Sequence, residues 1–192
     1  MGEIQKPNNR STVFITLLAC GIFLIGAGLI PLLINAQQKA LESAAPILPP
    51  TTADYHGPQL KLNDLGGKPV SMEAYSRQVI LVNNWATWCP PCVTEMPELQ
   101  AYFTEHVAEG FEVIAINAGD PADQVASFVK NHGLTFPVWL DPLHKSMGFF
   151  KNLNLPSSYV IDRDGIIRYS WMGEVNQATL EQYVTPLLEE TK

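Results

Sequence analysis

Two cysteines three positions apart carry the chemical potential of this chain, within the run Trp88-Cys89-Pro90-Pro91-Cys92. Thiols at this spacing can exchange a disulfide with another molecule: one attacks, and the second closes on the first and releases the product. The attacking species is the thiolate, so the site needs something that favours loss of the thiol proton. A helix N-terminus provides it, because its first N–H groups lack partners and form the positive end of the helix dipole. The pair stands between the apolar run Val79-Ile80-Leu81-Val82 and the helix-spaced Met96, Leu99, Tyr102-Phe103 and Val107, so a strand turns into a helix at Cys89. Two other uses of such a pair are a zinc half-site and a static disulfide. Zinc needs further ligands, and His56, His106, His132 and His144 show no ligand spacing. No metal cluster, nucleotide loop or cofactor motif is legible, so no cofactor is expected.

Pro90 and Pro91 have no N–H groups, which removes two donors that would otherwise reach the Cys89 sulfur. A less stabilised thiolate makes the reduced form less favoured and the protein a better reductant. Glu95 follows Cys92 by one helical turn and shares its side of the helix. Partly buried, its carboxylate would have a raised pKa and take the proton of Cys92; in solvent it would be an ordinary first-turn acid. Glu98 is expected to be solvated. Trp88 is expected to shield the disulfide, Trp85 to belong to the core or the site's rim, and Trp139 and Trp171 to pack.

The elements around the pair alternate. Gln59 to Asp64, Gly66-Gly67 and Pro69 to Met72 read as a hairpin. Val79–Val82 and Phe111–Ala118 read as strands covered on both faces. A helix opens at Asp120-Pro121, with Val125, Phe128 and Val129 on its apolar face and Gly133 after its end. Phe136–Leu140 reads as a short strand and Leu143–Phe150 as a short helix. Ser158–Ile161 and Ile166–Trp171 read as a second hairpin, and one amphipathic helix is expected from Gln177 to Glu190. The sum is an α/β domain with a mixed sheet and helices on both faces.

At this point the chain resembles a known family. Trp85-Ala86-Thr87-Trp88-Cys89-Pro90-Pro91-Cys92 is similar to the active-site signature of the thioredoxin superfamily. Glu95 and Pro97-Glu98-Leu99 narrow the likeness to its TlpA/ResA-like, membrane-anchored branch. The resemblance runs from about Gln59 to the C-terminus. It implies a thioredoxin fold with a mixed central sheet, an N-terminal β-hairpin extension and a central insertion. It implies a kink at Pro97 and a cis proline at Pro156 facing the cysteines, with Leu155 before it bordering a groove for an extended peptide. Trp88, Pro90, Pro91, Leu155 and Pro156 are thus the expected substrate-binding residues, beside Cys89, Cys92 and Glu95 as the catalytic ones. Cytoplasmic thioredoxins carry a buried Asp six residues before the first cysteine; here that place holds Asn83, which cannot accept a proton, and Glu95 is the substitute this branch implies.

Upstream, Val13–Ile34 carries no charge and is long enough to span a bilayer. Neither Ile34-Asn35-Ala36 nor Ser43-Ala44-Ala45 is a well-placed cleavage site, so an uncleaved anchor is favoured over a signal peptide. Cys20 lies inside this run as a bystander; a lipobox reading of Leu17-Leu18-Ala19-Cys20 fails because the apolar stretch continues past it. Lys6 and Arg10 before the span, against Lys39 after it, place the N-terminus inside. The expected organisation is a cytoplasmic N-terminus (1–12), a transmembrane signal-anchor helix (13–34), a flexible linker (35–55) and a thioredoxin-like domain (56–192) outside a bacterial-type cell membrane.

Asp and Glu outnumber Lys and Arg by 19 to 12, and the net charge of −7 falls on the downstream domain, since the charges of residues 1–54 cancel. An acidic domain without a basic stripe argues against nucleic acid as a partner. The resemblance implies a reductant of disulfides in exported clients, apocytochrome c among them, re-reduced by a membrane thiol transporter. The other readings are an oxidant or general reductase for exported proteins, a peroxiredoxin-type peroxidase, or a non-catalytic thioredoxin-fold adaptor. The paired cysteines weigh against the last two.

Overall fold

The computed structural model describes residues 48–190. The apolar run 13–34, Cys20 and most of the linker lie outside the described residues, and no described helix is long and apolar enough to cross a membrane.

The sheet is organised around β4 (Val79–Trp85), every residue of which is buried. Successive side chains of a strand point to opposite faces. Val79, Leu81 and Trp85 therefore enter one apolar cluster and Ile80 and Val82 another, on the two sides of the sheet. β5 (Phe111–Asn117) runs parallel to β4, and β6 (Val138–Leu140) parallel to β5. On the other side of β4 come β7 (Ser157–Ile161), β8 (Ile166–Met172) and β1 (Thr51–His56), each antiparallel to its neighbour. The hairpin of β2 (Lys61–Asp64) and β3 (Pro69–Ser71) joins through β2 pairing with β6. The eight strands run in the order β1-β8-β7-β4-β5-β6-β2-β3.

Helix α1 (Pro90–His106) lays Met96, Leu99, Tyr102 and Phe103 on the first face, and α2 (Ala122–His132) adds Val125. On the second face, Phe150 of α3 (Lys145–Phe150) stacks on Tyr159 with ring centroids 3.5 Å apart. The segment α2–β6 lies between β5 and α3, and β6 supplies the edge with which β2 of the N-terminal hairpin pairs.

Two expectations are corrected. The linker reading ran to residue 55, but Thr51–Tyr55 belong to β1. Five of the six β1 residues are exposed, so no apolar alternation marks the strand and its pairing with β8 holds it. The C-terminal helix is two helices, α4 (Gln177–Tyr183) and α5 (Thr185–Glu189). Pro186, at the start of α5, has no N–H to donate back into the preceding turn and its ring crowds the carbonyl four residues earlier, and the helix is interrupted here.

Candidate active site

β4 delivers the chain to the site. Trp85, its last residue, is fully buried with its ring centroid 4.8 Å from that of Phe128. The loop that follows is fastened to the turn after β5. Thr87 N–H donates to Asp120 Oδ2 at 2.7 Å, and Asn117 Nδ2 donates to the same oxygen at 2.9 Å. Asn117 Oδ1 in turn accepts Asp120 N–H at 2.9 Å, and the Gln124 amide donates to the Thr87 hydroxyl.

Cys89 is the N-cap of α1, with Pro90 and Pro91 opening the helix, where a missing N–H costs no intrahelical bond. Cys92 N–H reaches the Cys89 sulfur at 3.3 Å. The two cysteines form a disulfide with Cα atoms 5.2 Å apart. Cys92 has no exposure and Cys89 retains 4%, so an external sulfur meets Cys89 first. Pro90 and Pro91 are exposed beside it. Trp88, the residue before Cys89, is 67% exposed and presents an apolar surface.

Glu95 is buried, 1% exposed, on the sheet-facing side of α1. Its Oε1 accepts Asn83 Nδ2 at 2.7 Å and its Oε2 accepts Val175 N–H at 3.0 Å. Asn83 Nδ2 also donates to Ser158 Oγ at 3.0 Å. Burial pushes the Glu95 carboxyl up to about 8, against the pull of the two hydrogen bonds, which favour the charged form. It is therefore a carboxyl that can hold or release a proton near neutral pH.

The Leu155–Pro156 peptide bond is cis. The pairing of Asn83 with Ser158 and Asn84 with Ser157 carries on to put Pro156 beside Trp85, at the end of β4 that feeds the cysteines. Leu155 packs, half-buried, against the cluster that contains Cys89 and Cys92. Pro156 is buried, and its carbonyl accepts Gly173 N–H at 2.9 Å.

Residues 54–170 match the model of the AhpC/TSA family. The chain is 34% identical over 127 residues to the thiol-disulfide oxidoreductase ResA of Bacillus anthracis, covering 66% of this chain and 73% of that one. The chain belongs to this family, in its ResA-like thiol-disulfide oxidoreductase branch. The ResA of Geobacillus thermodenitrificans is 29% identical over 127 residues, with the same coverage of 66% and 73%. Among solved structures, a secreted thiol-disulfide isomerase from Corynebacterium glutamicum aligns with a TM-score of 0.65 at 26% identity, over 69% of this chain and 85% of its own. A thioredoxin-family thiol:disulfide interchange protein from Chlorobium tepidum aligns at 0.60 and 25% identity, over 75% and 99%.

In this ResA-like oxidoreductase several site residues escape sequence reasoning. Asp120 reads there as a helix opener, yet its carboxylate anchors the loop before Cys89. Ser158 carries no signal, because its partner Asn83 is set by strand pairing, and Asn117 bonds Asp120 within the turn after β5, where no motif marks it. Glu98 is exposed as expected, but it accepts Gln177 N–H at 3.0 Å and so ties α1 to the start of α4. Metal-ligating side chains do gather at one place among the described residues, at the other end of α1 from the cysteines.

Proposed function

We propose that this ResA-like enzyme reduces disulfides in exported proteins on the outer face of a bacterial cell membrane. Apocytochrome c is the leading client, and a membrane thiol transporter is the electron source. The Cys89 thiolate attacks one client sulfur, forms the mixed disulfide and expels the other client sulfur as thiolate. Glu95 takes the Cys92 proton, and the Cys92 thiolate attacks the Cys89 sulfur. The second client thiol leaves, and two electrons have passed from the dithiol to the client. Trp88, Pro90, Pro91, Leu155 and Pro156 would line the client's path, and Val13–Ile34 would hold the domain near the membrane.

The observation that carries the direction of transfer is the scarcity of donors at the Cys89 sulfur. Both residues between the cysteines lack N–H groups, and among the described residues Cys92 N–H, at 3.3 Å, is the single donor that reaches it. A thiolate so placed gains little from the helix start, which favours giving electrons away. The bond between the two sulfurs also fits dithiol exchange better than single-thiol peroxidase chemistry.

The test is a peptide holding an oxidised Cys-x-x-Cys-His, mixed with the pre-reduced full chain in detergent. The equilibrium should lie towards reduced peptide and oxidised protein, and Cys92→Ser should trap the mixed disulfide through Cys89. Net oxidation of the reduced peptide by the oxidised protein would reverse the assignment.

A further inference from the structure

At the C-terminal end of α1, four acidic and imidazole side chains meet where α4 crosses: Glu105, His106, Glu109 and Glu181. The His106 side chain is 9% exposed. Its Nδ1 lies 2.9 Å from Glu109 Oε2. A carboxylate can only accept, so Nδ1 carries the proton. Nε2 is buried with no hydrogen-bond partner among the described residues, and it faces Glu181 Oε1 at 3.5 Å. A neutral ring sets its Nε2 lone pair against a carboxylate oxygen at this distance, two acceptors that need a cation or a second proton between them.

The surrounding groups are held for this arrangement. The Thr185 hydroxyl donates to Glu181 Oε2 at 2.9 Å. That uses its single proton, so the Tyr102 hydroxyl, 2.9 Å away, must donate to Thr185. Glu105 Oε2 accepts from the Gln177 amide at 3.1 Å. Ligand atoms of Glu105, His106 and Glu181 all lie within 4.8 Å of one another. No Lys or Arg pairs with these carboxylates among the described residues.

We propose that Glu105, His106 Nε2 and Glu181 bind a divalent cation of the zinc type, tying α4 to the end of α1. One imidazole and two carboxylates suit Zn2+, whereas Mg2+ seeks oxygen ligands only. Three protein ligands leave a fourth position for water. Glu109 takes the outer role: a carboxylate on Nδ1–H fixes the ring and presents Nε2 as the ligand, as at histidine metal sites generally. The buried, unpartnered Nε2 separates this cluster from an ordinary acidic patch. The site is independent of the thiol chemistry.

Calorimetric titration of Zn2+ into the metal-stripped, disulfide-bonded full chain at neutral pH tests it; the oxidised state keeps Cys89 and Cys92 from competing. One site per chain is expected, with no comparable heat from Mg2+. Glu181→Gln and His106→Gln should each weaken binding by roughly tenfold or more, and Glu109→Gln by about 10- to 100-fold. His132→Gln should leave it unchanged. Should His106→Gln fail to fold, Glu105→Gln at the exposed rim decides the same point. No stoichiometric binding, or binding that survives Glu105→Gln and Glu181→Gln, overturns the proposal and leaves a second proton on Nε2 to fill the gap.

Discussion

Asn83 Nδ2 donates to Glu95 Oε1 across 2.7 Å, joining the residue six places before the first cysteine to the residue three places after the second. In the proposed mechanism the proton-accepting group sits on the helix, and the strand position is its hydrogen-bond donor. Two donors hold a carboxyl that burial nonetheless raises to about 8.

Stability should therefore depend on pH through Glu95. Its folded pKa is raised from 4.5 to about 8, so between those values the folded chain keeps a proton that the unfolded chain has lost. The contribution is full below about 4.5 and is lost as pH rises towards 8, over a range on the order of 5 kcal/mol. Glu95→Gln should flatten that profile, at a fixed cost of about 1–3 kcal/mol because its amide must face one of the two donors. Urea midpoints of both proteins across pH 5–9 check this; parallel profiles would exclude Glu95 as the source.

The same carboxyl should govern resolution. With Glu95→Gln, release of client from the Cys89 mixed disulfide should slow by about 100-fold, the lower range for a lost general base. The inflection near pH 8 should vanish from the rate profile, while formation of the mixed disulfide changes little. Stopped-flow Trp fluorescence of the two steps distinguishes them.

The cysteine pair, β4, β5 and α1 are legible because their signals are local: a continuous apolar run, a helix-spaced stripe and a spacing of three. Glu95 is legible as a neighbour of Cys92, but its burial is not, since Asn83 and Val175 reach it from 12 and 80 residues away. Asp120 is hidden for the same reason, 33 residues from Thr87. β1 is hidden because an exposed edge strand has no buried face to impose alternation. The break between α4 and α5 was available in Pro186, but the apolar spacing of the segment masked it.

Asp120→Ala should loosen the loop before Cys89. It deprives Thr87 N–H and Asn117 Nδ2 of their shared acceptor, at a cost of about 1–3 kcal/mol. Hydrogen exchange at the Thr87 amide should accelerate by one to two orders of magnitude, about what that loss of free energy allows. An unchanged Thr87 amide would mean that the loop is fixed by other contacts.

Pro91→Ala returns an N–H to the second position of α1, next to the Cys89 sulfur. One added hydrogen bond of about 1.4 kcal/mol to the thiolate would raise the reduction potential by about 30 mV. Equilibration of variant and parent in the same redox buffer gives the difference directly, and a lower potential in the variant would contradict the donor-scarcity argument.

The most direct test of a reductant is the absolute reduction potential of the Cys89–Cys92 pair, from the full chain in detergent equilibrated against dithiothreitol or glutathione and followed by Trp fluorescence. The account predicts a value near or below about −250 mV, in the range of thioredoxin. A value near about −120 mV, that of the strong oxidant DsbA, would contradict it and assign the enzyme to disulfide formation.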